Sequence, residues 1–435
     1  MQTPVEVVLV GAGNRGAGTF GAYALDRPHR MKIVGVAEPD SVKRQRFAAA
    51  HSIPPENVFE TWEDMMARPQ LAPALINATM DLEHFDSTVA ALDSGYDVLM
   101  EKPMAGSAEE CVRIVKAAED SGRKLLVCHE LRYSSFFSEL YRVLHSGQMG
   151  DIVNVEHTEH IGFWHFLHSF VRGAWRSTDV SASALLQKCC HDLDLLVWAL
   201  GANCTKVASF GGLRHFIPEN APEGAPERCT DGCPVEATCP HYAPWVFMDL
   251  LGDTGLANSI FTETTQEGRW RELAEGPFGR CAYRCDNNVV DHQVLIMEFE
   301  GGISVSFTMQ AHSHDNVRIM RYSGTRATVC GHTGTNEITV DEYRTGAHDL
   351  ITPAMMVGGH GGGDWGLLDA FVETIRGNGT EETSARNSLE SHLIGYAADE
   401  ARMTGTVIDM DEYRARIYAA AGLDSEANLV GSRQG

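Results

Sequence analysis

The first 130 residues alternate short apolar runs with amphipathic stretches. Val5 to Val10, Lys32 to Ala37, Ala74 to Thr79, Tyr96 to Met100 and Lys124 to His129 read as strands. Between them, the stretches from about Arg15 to Leu25, Ser41 to His51, Val58 to Met66, His84 to Ser94 and Ser107 to Ser121 have helical composition. Strands interleaved with helices predict a parallel sheet covered on both faces, with ligands beyond the C-terminal strand ends. After residue 150 the pattern changes. Asp151 to His160, Val207 to Gly212, Val294 to Phe299, Ile303 to Met309, Val317 to Tyr322, Ala327 to Val329 and Glu337 to Val340 read as strands of an antiparallel sheet. Helical spacing runs through Gln187 to Leu200, a helix opens after His360 and continues to Ile375, and Asn387 to Thr404 closes the fold between the domains.

The first strand ends in Gly11-Ala12-Gly13-Asn14-Arg15-Gly16. Gly11 permits the tight turn, Gly13 lets the backbone approach a pyrophosphate, and Gly16 lets the next helix pack closely, with its N-terminus toward the phosphates. The second strand ends at Glu38, where a carboxylate accepts the adenosine ribose hydroxyls. Pro39-Asp40 supplies no cation for a 2′-phosphate, so NAD is expected rather than NADP, although Lys43 and Arg44 stand near. The expected fold is α/β: an N-terminal Rossmann domain at residues 1–129 and a C-terminal α+β domain at 130–423 with an open, mainly antiparallel sheet. A cysteine-rich insertion is expected at 214–245 and a loose tail at 424–435.

A chain of 435 residues exceeds one compact core and fits two domains. Its net charge of −24 argues against nucleic-acid or anionic-membrane partners. No apolar stretch reaches the roughly 18 residues of a spanning helix, and no charged-then-apolar leader precedes the first strand. A cytoplasmic location is expected. There, 11 cysteines mean thiols or metal ligands rather than disulfides.

The glycine turn with Arg15, the strand ending in Ala78-Thr79 with His84 following, and Glu101-Lys102-Pro103 together resemble the glucose-fructose oxidoreductase / inositol dehydrogenase (Gfo/Idh/MocA) family over nearly the whole chain. The resemblance implies that Lys102 lies near the nicotinamide and the reacting hydroxyl, and that the peptide before Pro103 is cis. Chemistry agrees, because an ammonium at a strand end polarises a hydroxyl as hydride leaves. The cofactor site then comprises Gly11, Gly13, Asn14, Arg15, Gly16, Glu38, Thr79, His84, Glu101, Lys102 and His129. His129 to Tyr133 resembles the crossover into the second domain, with Arg132 and Tyr133 either positioning ligand or packing the seam.

Gln187-Lys188-Cys189-Cys190-His191-Asp192-Leu193-Asp194 matches the family's catalytic segment at His191 and at Asp194, three positions later. The family's earlier aspartate is replaced here by Gln187, with Lys188 beside it. A histidine accepts a proton near neutral pH when a hydroxyl is oxidised. Catalysis is therefore expected at Lys102 and His191, with Lys188 close by. The departure at Gln187 puts the simple dehydrogenase relay in doubt. It also gives the segment the look of a less defined branch of the family.

The stretch from Phe163 to Arg176 combines aromatics that stack on sugars with arginines that fork onto anions. Expected substrate contacts are Tyr133, His165, His168, Arg172, Trp175, Arg176 and Asp192, with Arg172 and Arg176 on one face if helical; the alternative is a loop packed at a seam. Asp291 and His292, at a strand entrance, either face substrate or make a turn, and Asp364 either caps its helix or enters the site. Cys229, Cys233 and Cys239, with three and five residues between them, suggest a structural zinc or redox thiols. The fourth-ligand candidates are Cys281, Cys190 and His241, with Cys281 preferred.

The sequence therefore predicts hydride transfer from a secondary hydroxyl of a sugar, glycoside or cyclic polyol to NAD. A redox-neutral, NAD-dependent glycoside hydrolase is the alternative: transient oxidation, elimination, water addition and re-reduction, on an anionic sugar such as a sulfoquinovoside. A third reading is a non-catalytic NAD sensor. The family resemblance implies a homo-oligomer, a dimer or tetramer.

Overall fold

The computed structural model describes residues 3–356 and 358–423. The tail expected at 424–435 lies outside them. Six strands form the first sheet: β1 (Val5–Val10), β2 (Met31–Ala37), β3 (Val58–Phe59), β4 (Ala74–Asn77), β5 (Asp97–Met100) and β6 (Leu125–Val127). They run parallel in the order β3-β2-β1-β4-β5-β6. Chain order reverses between β1 and β4, which opens a crevice at their C-terminal ends. Val7, Val8 and Leu9 are fully buried because helices cover both faces of the sheet.

Some local expectations are corrected. Val58 and Phe59, expected to begin a helix, pair with Val36 and Ala37 as the edge strand, and the helix is confined to Trp62–Met66. Thr61 caps it by accepting from the Asp64 N–H, so helix and strand meet within three residues. The helix after the glycine turn is wound wide over Gly16–Gly21 before tightening at Ala22–Asp26.

The second sheet has nine strands: β7 (Ile152–Gly162), β8 (Cys204–Gly212), β9 (His292–Phe299), β10 (Ile303–Ser313), β11 (Val317–Gly324), β12 (Ala327–His332), β13 (Glu337–Glu342), β14 (His348–Ile351) and β15 (Ile408–Asp409). Their order is β14-β13-β12-β11-β7-β10-β9-β8-β15, antiparallel except where β7 lies beside β10. One face buries Leu295, Met297, Val305 and Phe307, while the other leaves Phe210, Ile296 and Ile319 exposed. The Ala184–Leu200 helix is buried nearly all round, as a helix held within a core must be.

Two late helices join the domains. Gly363–Ile375 lays Leu367, Leu368, Phe371 and Val372 against the core of the first sheet. Ala385–Thr404 reaches the loop after β5: His392 Nε2 accepts from the Met104 N–H at 3.0 Å, and the Tyr396 hydroxyl donates to Ala105 O at 2.7 Å.

Candidate active site

The glycine turn shows why each glycine is there. Gly11 has φ +85°, and a Cβ on it would lie 2.4 Å from Ala78 O. A Cβ on Gly16 would strike Gly11 O at 1.9 Å, so helix and turn could not close. A Cβ on Gly13 would meet nothing within 4 Å; that glycine faces open space. The space belongs to a cleft of about 610 Å³ lined by Gly11, Gly13, Glu38, Lys43, Trp62 and Thr79, among others. Glu38 is held at its edge, its carboxylate accepting from the N–H groups of Ala12 (2.7 Å) and Asp40 (3.0 Å). The arrangement suits a dinucleotide: room beside Gly13 for the pyrophosphate and an acceptor at Glu38 for a ribose.

From the turn, Arg15 reaches into a buried acidic cluster. Its guanidinium donates to Glu101 (2.6 Å) and Glu130 and pairs with Asp364 (3.0 Å). Burial opposes its charge, but the three carboxylates outweigh burial and raise its pKa. Asp364 thus belongs to the site, and the residue preceding the helix is Gly362. His84 sits behind the cleft, its Nδ1 2.7 Å from Pro103 O and its Nε2 3.2 Å from Thr79 O. Burial holds it neutral, and it ties the Thr79 turn to the loop that carries the cis Lys102–Pro103 peptide.

Lys102 and His191 meet across the two domains. The Lys102 ammonium donates to the carbonyl of Gln187, one turn ahead of His191, at 2.9 Å. His191 is buried, and among the described residues neither ring nitrogen has a hydrogen-bond partner. Burial, then the Lys102 charge, hold its pKa well below the ordinary value, so the ring is neutral. Glu130 stands 3.7 Å from His191 Nε2, with Oε2 unpartnered, and burial pushes its pKa to about 7. The ligand-type atoms of Glu130, His191 and His360 lie within 4.8 Å of one another, as do those of Glu101, Cys128 and Glu130. Arg15 already supplies a cation to these acids. His129 lies edge-on to His191 at 5.9 Å between centroids, its Nε2 3.6 Å from Asp194 and neither ring nitrogen hydrogen-bonded among the described residues. Glu130 and His360 are the residues that the sequence reading passed over. The available signal was an acid at a strand exit, between His129 and Arg132.

Other polar residues of the helix are held in ion pairs. Lys188 pairs with Glu159 at 3.1 Å, and Asp192, wholly buried, accepts from Arg318 (2.8 and 3.0 Å) and lies 2.8 Å from His157 Nε2. These bonds turn Asp192 to β7 and β11. Asp194 is gripped by both arms of Arg132, at 2.5 and 2.7 Å, which locks the crossover to the helix.

The aromatic segment is divided. His165 is near Lys188 and Lys102, whose charges add to burial in lowering its pKa. His168 stacks on Phe278 and lies 3.1 Å from the Ser259 hydroxyl. Trp175 packs near Phe170 at 6.1 Å, and the Tyr133 hydroxyl lies 3.3 Å from that of Thr383 at the domain seam. Arg172 and Arg176 do not share a face, because the helix ends at Val171 and the chain bends. Arg172 is buried and donates to the carbonyls of Arg280 and His241, both at 2.8 Å; Arg176 pairs with Asp286 at 2.9 Å. The structure therefore does not form the arginine clamp expected for an anionic sugar. Asp291 takes its turn role, accepting from the N–H groups of Arg214 and His215. It and His292 line a separate cleft of about 690 Å³ with Arg214, His215, Asn220 and His312. Cys229, Cys233, Cys239, Cys281 and His241 line one small cavity, while Cys190 lies in the helix beside His191.

Comparison with known proteins gives matches to two family models. Residues 5–129 match an oxidoreductase-family NAD-binding Rossmann domain, and residues 142–410 match the C-terminal alpha/beta domain of the same family. The chain is 25% identical to the putative oxidoreductase YteT of Bacillus subtilis over 84% of its length and 87% of that protein. It is 28% identical to an inositol 2-dehydrogenase of Gluconacetobacter diazotrophicus over 44% of this chain and 55% of that protein. A levoglucosan dehydrogenase structure with NADH and levoglucosan has the same fold, with a TM-score of 0.70, 17% identity and coverage of 94% of this chain and 100% of that one.

Proposed function

Since the chain belongs to the Gfo/Idh/MocA oxidoreductase family, whose Rossmann domain binds NAD, we propose that it oxidises a secondary hydroxyl of a sugar, glycoside or cyclic polyol. One observation carries the reading. Lys102 is bound to the Gln187 carbonyl, one turn from a neutral, buried His191 that makes no hydrogen bond among the described residues, and Arg15 links both neighbourhoods to the glycine turn. NAD, when bound, supplies the hydride acceptor.

In this mechanism Lys102 Nζ donates a hydrogen bond to the reacting oxygen and stabilises developing negative charge. His191 takes the hydroxyl proton. Its Nε2 faces Glu130, which leaves Nδ1 for substrate, and the Glu130 carboxylate stabilises the imidazolium. Glu130 thus stands in for the acid that Gln187 lacks. His165 is the substrate contact favoured by its nearness to Lys102 and Lys188. The inositol 2-dehydrogenase and levoglucosan dehydrogenase names among the relatives support a sugar-like substrate.

Purified protein with NAD and a panel of sugars, polyols and nitrophenyl glycosides, followed at 340 nm and for aglycone, tests the assignment. NADH accumulating with a free sugar or polyol supports it. Aglycone release without net NADH would replace it with the redox-neutral glycosidase, and inactivity with intact NAD binding would leave a sensor.

Two further expectations belong to the same proposal. A second copy of the chain would cover the outer sheet face at Phe210, Ile296 and Ile319, which light scattering would detect as a dimer or tetramer. A reducing, cytoplasmic setting suits 11 cysteines that are all free thiols. Any metal in the cysteine-rich insertion would be structural, since its cavity shares no lining residue with the cofactor cleft.

A further inference from the structure

We infer that Cys229, Cys233, Cys239 and Cys281 form a structural zinc site whose charge is balanced by Arg172. Two distant segments are stitched together to build it. The Cys229 N–H donates to Gly279 O at 2.8 Å and the Cys281 N–H to Glu227 O at 2.9 Å, a short antiparallel bridge that places the two cysteines diagonally across the Arg228–Arg280 pair. The Cys239 N–H donates to Val235 O at 2.9 Å and the Glu236 N–H to Cys233 O at 3.2 Å, which folds the other two into one turn. All four line a single cavity with about 10 Å³ of free volume, room for one ion. None is in a disulfide.

Arg172 supplies the independent observation. It is 1% exposed, has no carboxylate partner among the described residues, and its Nη1 has no hydrogen-bond partner. A buried cation without an anion is costly. Its Nη2 lies 4.0 Å from Cys229 Sγ, and its guanidinium stands over the Phe247 ring at 5.4 Å. Its two carbonyl acceptors, on Arg280 and His241, flank Cys281 and Cys239, so the same side chain fastens both cysteine loops. Four thiols that bind a divalent ion release their protons to solvent and leave a charge of about −2, which the guanidinium partly offsets.

Among the described residues, no three of these sulfurs lie within 4.8 Å of one another. Tetrahedral zinc needs sulfur separations of about 3.8 Å, so binding draws the side chains inward around the cavity. His241 also lines the cavity, with its Nε2 2.9 Å from His215 Nε2 and its Nδ1 without a hydrogen-bond partner among the described residues. Cys285 lies outside the lining. Cys281 is the fourth sulfur of the lining and gives a tetrahedral set of thiolates alone.

The test is elemental analysis of the full chain, purified without metal-chelate resin, together with chelator competition and circular dichroism. The wild type should carry about one zinc per chain, and Cys233→Ser and Cys281→Ser should lose it about tenfold or more. His241→Ala and Cys285→Ser should keep it. Arg172→Met should release zinc to chelator at about 10–100-fold lower concentration. Zinc-free wild type that takes up none when reduced, retention in Cys281→Ser, loss in His241→Ala, or iron in place of zinc would each overturn the assignment. The wild-type measurement stands even where a variant fails to fold, and none of these readouts depends on the sugar chemistry.

Discussion

Glu130→Gln separates charge from shape at the centre of the site. The glutamate is wholly buried beside His191, and burial raises its pKa from 4.5 to about 7 against the opposing pull of Arg15. A shift of that size corresponds to about 3 kcal/mol between the protonation states. The folded-state pKa is raised, so the acid stabilises the fold below the unfolded value and that contribution disappears as pH rises through about 7. Glutamine removes this dependence. Relative to wild type, urea melts should show the variant gaining up to about 3 kcal/mol between pH 4.5 and pH 8. Catalysis should respond in the opposite sense, because the ionised carboxylate is what stabilises protonated His191. In wild type kcat/KM should climb with an apparent pKa near 7. In the variant that limb should vanish and kcat should fall by about 100-fold with NAD affinity preserved. A variant that keeps the limb and stays within about twofold of wild-type kcat would refute the pairing of Glu130 with His191.

Three other substitutions probe separate parts. Lys102→Ala should abolish turnover while isothermal titration shows unchanged NAD binding; near-normal activity would remove the ammonium from the mechanism. Glu38→Ala should weaken NAD by about 1.5–3 kcal/mol, the worth of hydrogen bonds to a charged acceptor, and equal affinity would move the ribose elsewhere. Asp192→Ala leaves Arg318 short of a carboxylate in the core, although Glu159 remains 3.1 Å away, so chemical denaturation should show a loss of about 3–5 kcal/mol. An unchanged midpoint would mean that Glu159 alone satisfies the arginine.

The dinucleotide unit was legible because its signals are local. A strand, a glycine turn and a terminal acid lie within 34 residues, and the required backbone approaches leave glycine where no Cβ fits, as at Gly11 and Gly16. Strand alternation likewise read out seven of the nine strands of the second sheet, since one of its faces is buried and the other is not; the edge strands β14 and β15 were not read. Local signals failed on the Ala184–Leu200 helix. Spacing puts Gln187 and His191 on one face, but a helix buried nearly all round gives no sign of which face meets the cleft. Hence the sequence alone did not show that Lys188, expected near the catalytic pair, is paired with Glu159, or that Asp192, expected at the substrate, is held by Arg318 and His157.

By itself the sequence determined a Rossmann unit with a carboxylate at its second strand end and an antiparallel companion sheet, and it singled out Lys102 and His191. Only the tertiary structure decided what surrounds that pair. Arg15 meets Glu101 across 86 residues and Glu130 across 115, and Lys102 finds the Gln187 carbonyl across 85. The turn from Val171 into Arg172 likewise sends one arginine to the cysteines and leaves the other with Asp286. Buried charges must find partners wherever the packed chain brings them, and no period along a sequence encodes a partner so far away.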